Sequence, residues 1–167
     1  ELGVAQDGEG RSESGMGSDA ADVDGDGDFD FFSANMAVET NTLWVNQGTY
    51  FTDDTDLAGL AKDSFLWVGF GAKFFDQDLD GDLDLLVANG HVLDNVAIYD
   101  VHQTFAQPAH FYENEGQGKF HLVKEGAGAY FDELHVGRGL AVGDPDGDGD
   151  LDAVFANWGE KPQILEN

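Results

Sequence analysis

The chain contains no cysteine, three prolines and only seven basic residues in 167. Without cysteine there is no disulfide framework and no thiolate chemistry, and the redox compartment stays open on that count. Seven Lys and Arg against 34 Asp and Glu give a formal net charge of −27. That balance excludes nucleic acid as a partner, because phosphate binding needs a basic face. It disfavours an anionic membrane surface for the same reason. No apolar run approaches membrane-spanning length, so membrane insertion is not expected. The chain opens on Glu1 without a signal-peptide pattern, which reads as a mature form, an excerpt or a piece of something longer.

An acidic chain can simply be disordered. Here 41% of residues are hydrophobic, with 13 Phe and three Trp, enough for one substantial core. The acids are also not spread evenly. Fifteen of the 34 fall in three copies of one nine-residue loop, so much of the charge has a local purpose.

The copies are Asp22-Val23-Asp24-Gly25-Asp26-Gly27-Asp28-Phe29-Asp30, Asp76-Gln77-Asp78-Leu79-Asp80-Gly81-Asp82-Leu83-Asp84 and Asp144-Pro145-Asp146-Gly147-Asp148-Gly149-Asp150-Leu151-Asp152. Each has Asp at positions 1, 3, 5, 7 and 9 and Gly at position 6. Alternate carboxylates converge only if the backbone curls sharply, and a residue without Cβ permits the positive φ that such a turn needs. Converging carboxylates repel unless a hard cation neutralises them, and an all-oxygen set at this spacing suits calcium. The expected ligands are the side chains at positions 1, 3, 5 and 9 and the backbone carbonyl of position 7 (Asp28, Asp82, Asp150). An EF-hand shares the opening spacing but needs a bidentate Glu at position 12 and flanking helices. Position 12 is Ser33, Val87 and Phe155, and the residues that follow each loop are short apolar runs ending in Asn35, Asn89 and Asn157, which is strand character.

The repeat extends beyond the loop. Gly15 and Gly17, Gly69 and Gly71, and Gly137 and Gly139 precede the three loops at a constant distance. After the second strand comes a third, ending at Asn46, Asn114 and Asn167. The first two repeats continue through Gly48 or Gly116 to a fourth strand near 50–52 and 119–123. The predicted fold is all-β: a partial β-propeller of four-stranded antiparallel blades, two whole blades plus part of a third, within one unit spanning 1–167. The repeats run approximately 15–58, 69–126 and 137–167, the last incomplete, with an insertion around 93–107. Propellers close with about four to eight blades, so the missing blades of the same protein, or other protein subunits, are the expected partners.

These motifs resemble the FG-GAP/VCBS repeats of integrin-α-like propellers. More narrowly, Gly15-Met16-Gly17, Glu39-Thr40-Asn41-Thr42-Leu43, Ala88-Asn89-Gly90-His91-Val92, Ala106-Gln107-Pro108 and the run His135 to Asp144 resemble the ASPIC/UnbV, or cartilage-acidic-protein-like, branch. The resemblance covers nearly the whole chain. It implies a secreted or periplasmic calcium-binding propeller, with the acids from Asp22, Asp76 and Asp144 onward as metal ligands.

The other residues have plainer readings. His91 and His135 are expected to make structural hydrogen bonds in turns, and His102, His110 and His121 lack a metal-ligand spacing. Arg138, between two glycines near an acidic loop, suggests an ion pair. Trp44, Trp67 and Trp158 are expected to pack between blades, with exposure an alternative for Trp158. The Gly-x-Gly pairs lack the third glycine of a dinucleotide site, and no nucleophile stands beside a base. The sequence therefore points to a non-catalytic calcium-binding module for protein interaction or assembly, extracellular or periplasmic. The alternatives are a structural subunit of a larger membrane-associated complex and the propeller part of an extracellular polysaccharide-degrading enzyme. Within 93–107, Tyr99, His102 and Phe105 are the only features that favour a binding surface, and nothing in the sequence supports carbohydrate in particular as its ligand.

Overall fold

Three antiparallel sheets follow one another along the chain in the computed structural model, which describes residues 2–167. Strands β1 (Gly17–Ala21), β2 (Asp30–Ala34), β3 (Thr42–Asn46) and β4 (Phe51–Asp53) form the first sheet in that order. One helical turn, α1 (Ala61–Ser64), leads to the second. That sheet contains β5 (Gly69–Phe75), β6 (Asp84–Asn89), β8 (His110–Asn114) and β9 (Phe120–Leu122). The third has three strands, β11 (Gly137–Gly143), β12 (Asp152–Asn157) and β13 (Gln163–Leu165). A feature absent from the sequence reading is a two-stranded ribbon, in which β7 (Gln107–Pro108) pairs with β10 (Leu134–His135). It ties the insertion after β6 to the entry of the third sheet.

The sheets stack face to face. β6 is buried at every position, and its side chains alternate between two cores, as the two-residue period of a strand requires. Leu85 and Val87 join Phe32, Leu43, Phe74 and Tyr112 between the first and second sheets. Leu86 and Ala88 join Phe75, Phe111, Tyr130 and Phe155 between the second and third. Fully burying a side chain of this size contributes about 1.5–3 kcal/mol, so each sheet depends on its neighbour for most of its stabilisation.

The first strands approach one another closely. A Cβ on Gly17 would lie 1.6 Å from Phe70 O, and one on Gly71 would lie 2.9 Å from Leu140 N. The second glycine of the first two pairs is thus the point where the next sheet seats. For Gly139 the nearest atom is Cβ of Ala156, in its own sheet, at 3.4 Å.

One row of residues makes the same comparison across all three sheets. Asp19, Phe32 and Leu43 are in register, and Phe32 and Leu43 are 0% exposed against the second sheet. Lys73, Leu86 and Phe111 are in register; Leu86, 2% exposed, and Phe111, 9% exposed, meet the third sheet, while Lys73 Nζ donates back to Asp19 Oδ1 at 2.9 Å. The equivalent row Ala141, Val154 and Ile164 meets no further sheet among the described residues, and Ile164 is 61% exposed.

The outer face of the first sheet is covered differently. Leu2 O accepts from Phe51 N at 2.7 Å, Gly8 N donates to Asp53 Oδ2 at 2.7 Å, and Thr42 Oγ1 donates to Glu13 Oε2 at 2.6 Å. Residues 2–16 thereby run along this sheet, beside the stacked pair Phe31 and Trp44, whose ring centroids are 5.5 Å apart. This corrects the placement of Trp44 and Trp67, while Trp158 takes the alternative, exposure. Trp44 packs on the outer face, Trp67 meets the edge of the His110 ring, and Trp158 is exposed; none joins the two inter-sheet cores.

Candidate metal centres

All three acidic loops join the first strand of a sheet to its second, so they lie at equivalent positions. Within each, the position 1 carboxylate organises the turn. Asp22 Oδ1 accepts from Gly25 N at 2.9 Å and Asp26 N at 3.0 Å, and its Oδ2 accepts from Gly27 N at 3.0 Å. Asp76 likewise accepts from Asp80 N and Gly81 N, and Asp144 from Gly147 N. Gly27, Gly81 and Gly149 at position 6 have φ of 95°, 96° and 107°, as the turn requires. Position 4 is also left-handed, with Gly25 and Gly147 both at φ 78° and Leu79 at φ 61°. Glycine in two of three copies was the sequence signal for it.

The curl brings three carboxylates together at each loop. Oxygen atoms of Asp22, Asp24 and Asp30, of Asp76, Asp78 and Asp80, and of Asp144, Asp146 and Asp148 lie within 4.8 Å of one another. Asp26, Asp84 and Asp152 are ligand candidates outside these triads, although the first loop does bring in its position 9 acid. The position 7 side chains do not join either. Asp82 Oδ2 lies 3.4 Å from where a Cβ on Gly116 would be, and Asp28 Oδ2 lies 4.0 Å from the same point on Gly48. Asp28 and Asp82 turn toward the Asn-x-Gly corner after the third strand, which leaves these two positions the backbone carbonyl as the group to offer.

Position 9 is the buried anchor. Asp84 Oδ2 accepts from Gln77 N at 3.0 Å and its Oδ1 from Asn114 N at 2.9 Å. Asp30 accepts from Val23 N and Asn46 N in the same way, and Asp152 Oδ1 from Asn167 N. Burial pushes the Asp84 carboxyl up to about 6 against the pull of those N–H groups, and raises Asp30 likewise. In the third loop, Asp150 Oδ1 is enclosed with no hydrogen-bond partner among the described residues. Raised carboxyls and an orphaned oxygen beside converging acids are what a cation would relieve, and the donors are all oxygen. The set fits calcium, which takes six to eight oxygens at about 2.3–2.6 Å. Positions 1, 3, 5 and 9 and the position 7 carbonyl would hold it.

The third-strand asparagines connect neighbouring loops, a link that the sequence reading missed. Asn114 Nδ2 donates to Leu83 O at 3.1 Å and across the interface to Val23 O at 3.1 Å, in the preceding sheet's loop. Asn167 Nδ2 repeats the contact with Gln77 O at 2.6 Å.

Three of the five histidine rings have hydrogen-bond partners within the fold. His91 Nδ1 accepts from Leu93 N at 3.0 Å, and His135 Nδ1 lies 2.9 Å from Glu160 Oε2 with its ring stacked on Tyr130. His110 is buried, with Nδ1 3.0 Å from Tyr112 Oη. Arg138 differs from expectation. It pairs with no carboxylate among the described residues, and instead donates to Gly90 O, Gly137 O and His91 O while stacking 4.2 Å over the Phe70 ring. No helix among the described residues is long and apolar enough to cross a membrane. No model of a known protein family and no curated protein matches the chain, so the family resemblance rests on its own loops and strands.

Proposed function

We propose that the chain is a calcium-binding, non-catalytic β-propeller module of the FG-GAP/VCBS type, serving protein interaction or assembly. The observation that carries this reading is the threefold one. Three equivalent sheet connections each present a carboxylate triad within 4.8 Å, on a turn shaped by the position 1 acid. Accidental acidic clusters do not recur in register on three sheets. Loops of this kind in extracellular modules bind at about 10⁻⁴–10⁻³ M, which suits the extracellular space or periplasm. The open row Ala141, Val154 and Ile164 supports the assembly role, since the same row is covered in the other two sheets. A further sheet of the same repeat, from the same protein or another subunit, is the partner that fits it.

The test is calorimetric titration of metal-free protein with calcium and with magnesium, together with thermal melting. Calcium binds the folded state preferentially, so 100-fold excess over Kd adds about 2.7 kcal/mol per site. Three calcium equivalents and a raised Tm are expected, with magnesium much weaker. Asp80→Ala should remove one equivalent. A melting curve that chelator leaves unmoved would overturn the proposal.

A further inference from the structure

At the strand ends remote from the metal loops, an open depression of about 430 Å³ is lined by Phe70, Leu93, Asp94, Phe105, Arg138 and Trp158, among others. Two β-bulges build it. The ladder slips between Gly69 and Gly71 and between Gly137 and Gly139, which throws Phe70 and Arg138 out of register. Bulges re-aim side chains, and here they set the guanidinium over the aromatic ring at 4.2 Å.

Arg138 is held rigidly. Nη1 donates to Gly90 O at 2.9 Å and Gly137 O at 2.7 Å, and Nη2 donates to His91 O at 2.7 Å. This uses three of five N–H donors. Nε and the second Nη2 hydrogen, which form one edge of the planar fork, have no partner among the described residues. A fixed guanidinium with a free edge is a preorganised hydrogen-bond donor pair. The opposite chemistry lines the same depression in Asp94, an acceptor that makes no ion pair among the described residues. Trp158 supplies a flat apolar surface. It is 68% exposed, yet its backbone is pinned by Trp158 N donating to Val136 O at 2.8 Å. The insertion forms the far wall, held by His91 N donating to Phe105 O at 2.9 Å.

We infer that this depression binds a neutral carbohydrate, with one sugar face on Trp158 and ring hydroxyls shared between the Arg138 edge and the Asp94 carboxylate. The pairing of donor fork, acceptor and aromatic plane matches a pyranose, which has vicinal hydroxyls around an apolar C–H face. Charge decides between neutral and acidic sugars. One cation and one anion line the depression, and the chain's net −27 repels an anionic ligand.

The experiment is titration of the calcium-loaded chain with cellohexaose, laminarihexaose and mannohexaose, followed by tryptophan fluorescence and calorimetry, with trigalacturonate as the acidic counterpart. Saturable binding of at least one neutral hexasaccharide is expected, tighter than that of trigalacturonate. Trp158→Ala and Asp94→Ala should each weaken it about tenfold, a difference of about 1.4 kcal/mol, while leaving the melting temperature in place because both side chains are exposed. Arg138→Lys, which keeps the charge but loses the fork, should weaken it similarly. Failure of all three neutral sugars at millimolar concentration would overturn the inference. So would tighter binding of trigalacturonate, or binding that neither Trp158→Ala nor Asp94→Ala alters.

Discussion

Asn114 and Val23 stand 91 residues apart, and a 3.1 Å hydrogen bond from the Asn114 side-chain amide to Val23 O joins them. The backbone N–H of the same asparagine holds Asp84. One residue therefore braces the metal loop of its own sheet and that of the sheet before it. Asn114→Ala removes three side-chain hydrogen bonds, the buried one to Val23 O, the half-buried one to Leu83 O and the one its Oδ1 accepts from Gly116 N, a cost of about 1–3 kcal/mol at most for each group left unpaired. Urea unfolding should show that loss. Calcium titration should show weaker binding at the first loop as well as the second, although no ligand has been touched. An effect confined to the second loop would refute the link.

Gly17 and Gly139 occupy the same place in their repeats and should respond differently to alanine. At Gly17 the new Cβ would enter Phe70 O, so Gly17→Ala should separate the first two sheets and cost at least the 1–3 kcal/mol typical of overpacking. Gly139→Ala meets only Ala156 Cβ, at ordinary contact distance, and should cost the isolated chain less than about 1 kcal/mol. If another sheet seats on the open row, Gly139→Ala should instead abolish that association, which sedimentation with the partner would reveal.

Leu79 adopts φ 61° where the other two loops have glycine, and it is 65% exposed. A non-glycine residue in this region costs about 1–2 kcal/mol, offset in part by the greater freedom of glycine in the unfolded chain. Leu79→Gly should raise stability by about 0.5–1 kcal/mol at fixed calcium. A lower melting temperature would show that the leucine contributes packing instead.

Acid should destabilise the fold through His110. Burial lowers its pKa from 6.5 to about 4. The unfolded chain then takes up a proton below pH 6.5 that the folded chain refuses until near pH 4. Stability is full above 6.5, falls as pH drops through that window, and levels off below the folded value. The ceiling on the loss is about 3 kcal/mol. Melting between pH 7 and 5 at saturating calcium should slope more steeply for the parent than for His110→Gln. Equal slopes would remove His110 as the cause.

Much of this is legible in the sequence. The loop glycines dictated the turn, the apolar runs ending in Asn35, Asn89 and Asn157 became β2, β6 and β12, and the third repeat is three-stranded as its sequence implied. Other features depend on where strands lead. Arg138 is near Asp144 in sequence, but six residues of extended chain carry it about 20 Å from the loop, so the anticipated ion pair cannot form. Trp44 sits on a strand buried on both sides, and its period marks a face without saying which neighbour covers it. Here that neighbour is residues 2–16, whose sparse apolar content gave no strand signal. The β7–β10 ribbon is two residues per strand, too short for any periodicity to register.

The cover over the first sheet gives the stack a direction. Its interfaces repeat, so each sheet's persistence depends on the neighbours it touches, much as in a one-dimensional array. The middle sheet has two such neighbours, the first has one and a strap of chain, and the third has one alone. Opening should therefore begin at the third sheet and travel inward, and its acidic loop would be the first to lose its shape. The two outer sheets therefore differ in how firmly they are held, although they carry the same loop and the same strands.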